Sequence, residues 1–211
     1  MIEKIKLFGE RNSGTRYTIG LLERHFEGNV CEGGDKSGWK HGLPFVKDGD
    51  DSSRMLYIFV IRDVNPWIKS MIHNPYHFWY KNMDDFLFGN MRLKLHEYPD
   101  SNIEEEDGNI FDIRYKKIKA YKKFYNEVEN CIIVNLDTVQ KYPKEFLEMI
   151  SINYGMKMNV FQNLNKHTKT GKVDVKNRLY SLQLKDYTCK INHDLECFVN
   201  SLKSRFYFKC V

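Results

Sequence analysis

The sequence predicts an α/β domain of three layers, in which a largely parallel central sheet lies between helices. Residues 4–26 combine a short apolar run, a loop with two glycines and apolar residues at helical spacing. Residues 55–61, Met-Leu-Tyr-Ile-Phe-Val-Ile, form an unbroken apolar run of strand length, which is typical of a central parallel strand buried on both faces. A helical pattern follows each of these strands, and strands that alternate with helices favour a parallel sheet.

The other elements extend over the rest of the chain, and the whole of 1–211 is predicted to form a single domain. Residues 74–107 are its one excursion, because they are rich in aromatic residues and end in an acidic loop at 104–107. We interpret this excursion as a lid or as a wall of an acceptor pocket. The remaining predicted elements are a short strand within 27–35, a loop over 47–54, a short helix near 83–88, a helix that opens at Asn65-Pro66-Trp67, a strand over 131–137, a helix over 143–152, a loop over 163–177 and a helix over 194–203.

The composition favours a globular protein with an anionic ligand. The net charge of +5 accompanies 28 acidic residues, which argues for such a ligand and against a nucleic-acid partner. No apolar run approaches the length of a membrane span and no signal region precedes the first strand, so we expect a cytoplasmic protein without a membrane partner. Five cysteines without a Cys-x-x-Cys pair predict reduced, packed thiols.

The most basic segment of the chain, residues 114–123, alternates lysines and Arg114 with apolar residues. The apolar positions step by three or four, as they do on one buried face of a helix. We therefore expect a helix whose basic residues form a solvated face, in preference to a binding patch.

A phosphate-binding loop is predicted at residues 9–15, between the first strand and the first helix. Amide groups at the start of a helix, together with the positive end of its dipole, bind anions, and Gly9 and Gly14 permit a close approach. The glycine spacing is that of a nucleotide P-loop, but Thr15-Arg16 stands where Lys-Ser/Thr would follow. The alternative is that the Ser13 and Thr15 hydroxyls cap the helix and nothing more. If the loop does bind phosphate, we expect Gly14→Ala to abolish binding without unfolding the protein, because a loop glycine outside the core contributes little packing.

A second charged segment follows the central strand at Arg62-Asp63. The carboxyl ends of the strands are where open α/β sheets bind ligands. Arg62 offers bidentate recognition of a phosphate group. A structural salt bridge to Asp63 or to a neighbour is the alternative.

Both segments resemble motifs of the sulfotransferases that use 3′-phosphoadenosine 5′-phosphosulfate. Gly9-Glu10-Arg11-Asn12-Ser13-Gly14-Thr15 is similar to the 5′-phosphosulfate loop of that family, whose core is a basic residue followed by Ser/Thr-Gly-Thr. Residues 61–70, Ile-Arg-Asp-Val-Asn-Pro-Trp-Ile-Lys-Ser, resemble its 3′-phosphate motif, with Arg62 and Ser70 at the family's separation. Asn135-Leu136-Asp137-Thr138, ahead of Tyr142-Pro143, is similar to a weaker Tyr-Glu-Asp-Leu segment.

The resemblance implies a sulfotransferase fold of the P-loop NTPase type. It implies transfer of a sulfuryl group from 3′-phosphoadenosine 5′-phosphosulfate to a hydroxyl or amine of a small-molecule or glycan acceptor, with no metal. A transferring sulfuryl group carries less charge than a phosphoryl group, so donors and cations can stabilise the leaving phosphate without Mg²⁺. The residues implied to bind the nucleotide are Arg11, Asn12, Ser13, Gly14, Thr15, Arg16, Arg62 and Ser70.

The sequence also departs from the family. Asn12 stands where the family has a basic residue, so Arg11, Arg16 or Lys40 would supply that charge. The family's late Gly-x-x-Gly-x-x-Lys loop is matched only loosely, by Thr170-Gly171-Lys172, and the chain is short for the family.

Two other classes of protein remain open. One is a P-loop nucleotide kinase or NTPase, with Asp63 or Asp137 holding Mg²⁺, and the other is a non-catalytic module that binds a nucleotide or a sulfated ligand.

The predicted catalytic residues lie in Gly38-Trp39-Lys40-His41-Gly42, after the first helix. An acceptor hydroxyl loses its proton as sulfur is attacked, and histidine is suited to accept it at pH 7. We therefore predict His41 as the general base and Lys40 as the cation for the leaving phosphate, with Glu10 and His77 as rival bases. Because neighbouring side chains on a strand face opposite ways, both residues reach the site only if Gly38 and Gly42 break the strand.

Overall fold

We describe the fold from a computed structural model of the chain. It describes residues 2–26, 28–31, 39–44, 52–74, 81–94, 105–162 and 164, and of 91–94 and 105–107 only the backbone. The predicted elements at 163–177 and 194–203 lie outside the described residues, apart from residue 164. The strands are β1 Lys4–Gly9, β2 Val30–Cys31, β3 Met55–Ile61, β4 Met91–Lys94, β5 Glu105–Gly108 and β6 Cys131–Asn135; the helices are α1 Thr15–His25, α2 Val64–His73, α3 Met83–Phe88, α4 Ile110–Glu127, α5 Leu136–Lys141 and α6 Pro143–Tyr154, with a 3-10 turn at Ser52–Arg54.

Four strands form one sheet in the order β2-β1-β3-β6, and every pairing in it is parallel. Gly9 pairs with Val60, and Val60 pairs with Val134, so β1, β3 and β6 end at the same edge. The central position predicted for residues 55–61 is confirmed, because β3 has neighbours on both sides.

Helices pack against both faces of this sheet, as the sequence predicts. Side chains of a strand alternate between its faces, so one face of β1 and β3 presents Ile5 and Leu56, which pack with α1, α5 and α6. The other face presents Phe8 and Phe59, which pack against Tyr121 and its neighbours on α4. The prediction of an α/β domain with a parallel sheet and flanking helices is confirmed.

Two sequence-based boundaries are wrong. Residues 105–107 of the expected acidic loop belong to strand β5, which extends to Gly108 and is antiparallel to β4. The register pairs acidic residues of β5 with basic residues of β4. The strand predicted over 131–137 stops at Asn135, because the Asn135 carboxamide oxygen accepts from the Asp137 amide at 2.8 Å and starts α5.

The predicted helices at 83–88 and around Asn65 are confirmed as α3 and α2. None of the helices in the described part of the chain is both long enough and apolar enough to cross a membrane.

Candidate functional site

The candidate site lies at the edge where β1 and β3 end. The loop of residues 9–15 leaves β1 there, and Arg62 follows β3 directly. Residues 39–42 contact the same loop: the Gly9 amide donates to the Lys40 carbonyl at 2.8 Å. Three segments that are distant in the sequence therefore meet at one place.

The backbone of the loop starts α1 in a conformation that leaves its first amide groups uncapped by side chains. Asn12 and Gly14 have left-handed φ values of 62° and 90°, a region that asparagine and glycine tolerate best. Gly14 is the N-cap residue of α1 and no described side chain makes a cap hydrogen bond. The Ser13 hydroxyl donates to the Glu10 carbonyl at 2.7 Å. The Ser13 and Thr15 hydroxyls therefore do not cap α1 in this structure. The first amide groups of the helix and the positive end of its dipole remain available to an anion.

Gly14 is packed against the core, contrary to the expectation that it lies outside it. A Cβ at this position would be 2.3 Å from Cδ1 of Leu136, which is a core residue of α5. The positive φ of Gly14 also disfavours any other residue. The premise that Gly14 lies outside the core and contributes little packing is therefore wrong, while the expectation that Gly14→Ala does not unfold the protein stays a prediction.

Asn12 joins the loop to the end of α2. Its side-chain amide lies 3.3 Å from the Ser70 carbonyl, 3.0 Å from the Asn74 carbonyl and 3.0 Å from the Met71 sulfur. The side chain of Asn12 is thus engaged with the protein, and Ser70 contributes its backbone oxygen to this contact.

Arg62 lies beside the loop with part of its guanidinium unused. Its Nη1 donates to the Asn12 carbonyl at 3.3 Å. Its Nε is buried and has no acceptor within the described part of the chain. A buried donor without an acceptor is costly, and an anion beside it would supply one.

The other basic residues of the motif have different surroundings. The Arg11 guanidinium lies 4.8 Å from the centre of the Trp39 ring, and the Arg11 carbonyl accepts from the Trp67 indole at 2.9 Å. Thr15 is buried at the start of α1, whereas Arg16 is exposed. Of the predicted cationic residues, Arg11 and Arg62 therefore make side-chain contacts at the site, to Trp39 and to the Asn12 carbonyl, while Lys40 contacts the loop through its carbonyl.

His41 lies in a turn, with its ring fixed on the loop. The Gly42 amide donates to the Trp39 carbonyl at 2.8 Å, so the chain turns here and is not an extended strand. His41 Nδ1 donates to the Gly9 carbonyl at 2.8 Å, which leaves the lone pair on Nε2. The pKa of His41 is lowered to about 4: burial is the main cause, that hydrogen bond opposes it, and the nearby Lys40, Arg11 and Lys117 add to the lowering. The ring is thus neutral at pH 7.

The rival bases are placed differently. Glu10 is 2% exposed, and its Oε2 lies 3.3 Å from Nη1 of Arg114. Burial raises the pKa of Glu10, while Arg114 and Lys117 oppose that rise. His77 lies outside the described residues.

Two functional candidates were missed by the sequence analysis. Arg114 and Lys117, expected on a solvated face of α4, are 1% and 3% exposed. Lys117 Nζ donates to the His41 carbonyl at 2.7 Å, and burial lowers its pKa to about 8 despite the opposing effect of Glu10. Arg114 lies four residues from Ile110 and from Ile118, and Lys117 lies four residues from Ile113. Both therefore share the buried face that the apolar spacing defines.

The carboxylates proposed for a metal in the kinase alternative are also visible. The Asn135 side-chain amide donates to Asp63 Oδ1 at 2.7 Å, while Asp137 is exposed on α5. In the described ranges, no three or more His, Cys, Asp or Glu residues form a group that could hold a metal ion.

Comparison of this chain with family models, with curated proteins and with solved structures found no match.

Proposed function

We propose that this protein is a sulfotransferase that moves a sulfuryl group from 3′-phosphoadenosine 5′-phosphosulfate to a hydroxyl or amine acceptor. One observation carries the proposal. The uncapped start of α1 and the unused Nε of Arg62 lie at one sheet edge, joined by the 3.3 Å contact from Arg62 Nη1 to the Asn12 carbonyl. Such an edge suits a ligand with two anionic groups, one at the start of α1 and one at Arg62. The resemblance of residues 9–15 and 61–70 to the family's motifs suggests that this ligand is 3′-phosphoadenosine 5′-phosphosulfate.

In the proposed reaction, an acceptor oxygen attacks sulfur while the bond from sulfur to the bridging phosphate oxygen breaks. The leaving group is adenosine 3′,5′-bisphosphate. The amides at the start of α1 and the Arg11 side chain stabilise the charge that develops on the 5′-phosphate. Arg62 binds the 3′-phosphate.

His41 takes the acceptor proton in this mechanism. Because Nδ1 donates to the Gly9 carbonyl, the ring presents Nε2 as the proton acceptor, and burial keeps the ring neutral at pH 7. The Lys40 backbone pairs with Gly9 in the same turn, and its ammonium is the proposed second cation for the leaving phosphate.

Calorimetry with nucleotides tests the binding part of this proposal. We expect wild-type protein to bind adenosine 3′,5′-bisphosphate more tightly than ATP with Mg²⁺, because the proposed site offers the start of α1 to its 5′-phosphate and Arg62 to its 3′-phosphate. Arg62→Ala should weaken binding of the bisphosphate by about 2 to 4 kcal/mol and leave that of adenosine 5′-monophosphate nearly unchanged. Arg54→Ala, at an exposed arginine before β3, is the control for loss of charge.

Tighter binding of ATP with Mg²⁺ would overturn the proposal in favour of a kinase or NTPase. Tight bisphosphate binding without sulfuryl transfer to any phenol, sugar or tyrosine peptide would favour the non-catalytic module.

A further inference from the structure

We propose that Arg114 is a positioning residue, which holds Arg62 in register with the loop of residues 9–15 so that the site selects ligands with two anionic groups at a fixed separation. This inference rests on the proposed function and names a residue of α4 that neither nucleotide motif contains. A nucleoside 3′,5′-bisphosphate is the ligand class that it predicts.

The Arg114 side chain touches both segments of the site. Its Nη2 donates to the Arg62 carbonyl at 2.6 Å. Its Nη1 lies 3.3 Å from Glu10 Oε2, and Glu10 is the second residue of the loop. One rigid guanidinium therefore links the residue that follows β3 to the loop that follows β1.

A third contact of Arg114 reaches the loop by another route. The guanidinium lies 4.4 Å from the centre of the Trp67 ring on α2. The indole of Trp67 donates to the Arg11 carbonyl at 2.9 Å. Arg114 thus fixes the position of Trp67, and Trp67 fixes the backbone at Arg11.

Stability alone does not explain a charged residue at this place. Arg114 and Glu10 are both almost completely buried, and a buried ion pair is often no more stabilising than apolar residues of the same volume. Within the described ranges, Arg114 Nε and Nη1 and Glu10 Oε2 make no hydrogen bond, so the contact between Arg114 and Glu10 is an ion pair and the hydrogen-bonding capacity of Arg114 is incompletely used. The reach of one planar guanidinium to both Arg62 and Glu10 does explain why an arginine stands here. An apolar residue would fill the same space but would hold neither segment in place.

The test measures a ratio of affinities, because general destabilisation would weaken all ligands alike. The quantity is the dissociation constant for adenosine 5′-monophosphate divided by that for adenosine 3′,5′-bisphosphate. Arg114→Lys keeps a charge for Glu10 but cannot reach both segments, so we expect this ratio to fall by about tenfold or more. Lys119→Met, at an exposed residue of the same helix, should leave the ratio unchanged.

A double-mutant cycle shows whether Arg114 acts through Arg62. In an Arg62→Ala background, Arg114→Lys should cause no further change in the ratio, because the group that it positions is gone. Glu10→Gln combined with Arg114→Met removes both buried charges and supplies the same measurement if Arg114→Lys does not fold.

An unchanged ratio in Arg114→Lys, or an equal fall of the ratio with and without Arg62, would overturn the positioning role and leave the proposed function intact. The role is also rejected if neither the Lys variant nor the double variant folds, since Arg114 would then be needed for the fold itself. A wild-type protein without preference for the bisphosphate would overturn the proposed function, and the positioning role with it.

Discussion

His41 illustrates how a single side chain depends on its backbone surroundings. Its Nδ1 is engaged by the Gly9 carbonyl, and its own carbonyl accepts from Lys117 Nζ. Both contacts join the turn of residues 39–42 to elements that are distant in the sequence. The protein's own contacts therefore hold the ring against the loop of residues 9–15.

Replacing His41 by asparagine separates its chemical role from its structural one. The Asn amide nitrogen can take the place of Nδ1 and donate to the Gly9 carbonyl, but it has no proton-accepting nitrogen. We expect turnover of 3′-phosphoadenosine 5′-phosphosulfate with an acceptor to fall by roughly two to four powers of ten, while affinity for the bisphosphate stays constant. Retained turnover in this variant would remove His41 as the base.

The same residue makes stability depend on pH. Its pKa is about 4 in the folded protein and 6.5 as the ordinary value, so between these pH values the unfolded chain binds a proton here that the folded chain does not. The free energy of unfolding should therefore fall at this residue as the pH drops from about 6.5 to about 4. Urea unfolding at several pH values should show a steeper loss in the wild type than in His41→Asn, and parallel curves would contradict this assignment.

At the scale of elements, the start of α1 is shaped by what lies behind it. Gly14 combines a positive φ with close contact to Leu136 of α5. The loop before α1 therefore packs against α5, the helix that begins where β6 ends. This contact couples the conformation of the loop to the packing of the core.

Substitutions at two glycines distinguish the effect of φ from the effect of packing. Gly28 has a φ of 77°, but a Cβ added there would have no atom of the described residues within 4 Å. Gly28→Ala should therefore cost about 1 kcal/mol of unfolding free energy from strain alone. Gly14→Ala adds the clash with Leu136 and should cost about 1 to 3 kcal/mol more. Chemical denaturation gives both values, and equal costs at the two glycines would show that Leu136 gives way freely.

At the scale of the whole molecule, the segment after α6 returns to α1 and is fixed there by His25. The His25 ring is fully buried; Nδ1 donates to the Leu21 carbonyl at 2.7 Å and Nε2 accepts from the Gln162 amide at 2.9 Å. The His25 carbonyl also accepts from the Asn159 amide at 2.9 Å, and Phe161 stacks on the ring. One residue thus joins parts of the chain separated by 137 positions.

His25→Phe should remove both side-chain hydrogen bonds, to the Leu21 carbonyl and from the Gln162 amide, and keep the ring stacking and the backbone contact to Asn159. Phenylalanine preserves an aromatic ring for Phe161 but cannot accept from the Gln162 amide, which leaves a donor unpaired at a cost of about 1 to 3 kcal/mol. Hydrogen exchange should become faster at the Gln162 amide, whereas the Asn159 amide, which is bound to a backbone oxygen, is the internal control. Unchanged protection of Gln162 would show that its amide has another acceptor.

The sequence by itself determined the alternation of strands and helices, because apolar runs and helical spacing are local patterns. Residues 55–61 could be predicted as a central strand, and residues 9–15 as a glycine loop before a helix, without any knowledge of their neighbours. The strand at 105–108 could not, since an acidic segment forms a strand only when a partner strand is present to pair with it.

Only the tertiary structure decided which groups the buried charged residues contact. The apolar spacing of α4 places Arg114 and Lys117 on its buried face, but only the tertiary structure shows that Glu10, the Arg62 carbonyl and the His41 carbonyl lie opposite them. Gly14 also depends on a distant residue, because Leu136, far along the chain, occupies the space that a side chain at position 14 would need. Local patterns fix the elements, whereas long-range contacts set the surroundings of each side chain, and those surroundings determine burial and pKa.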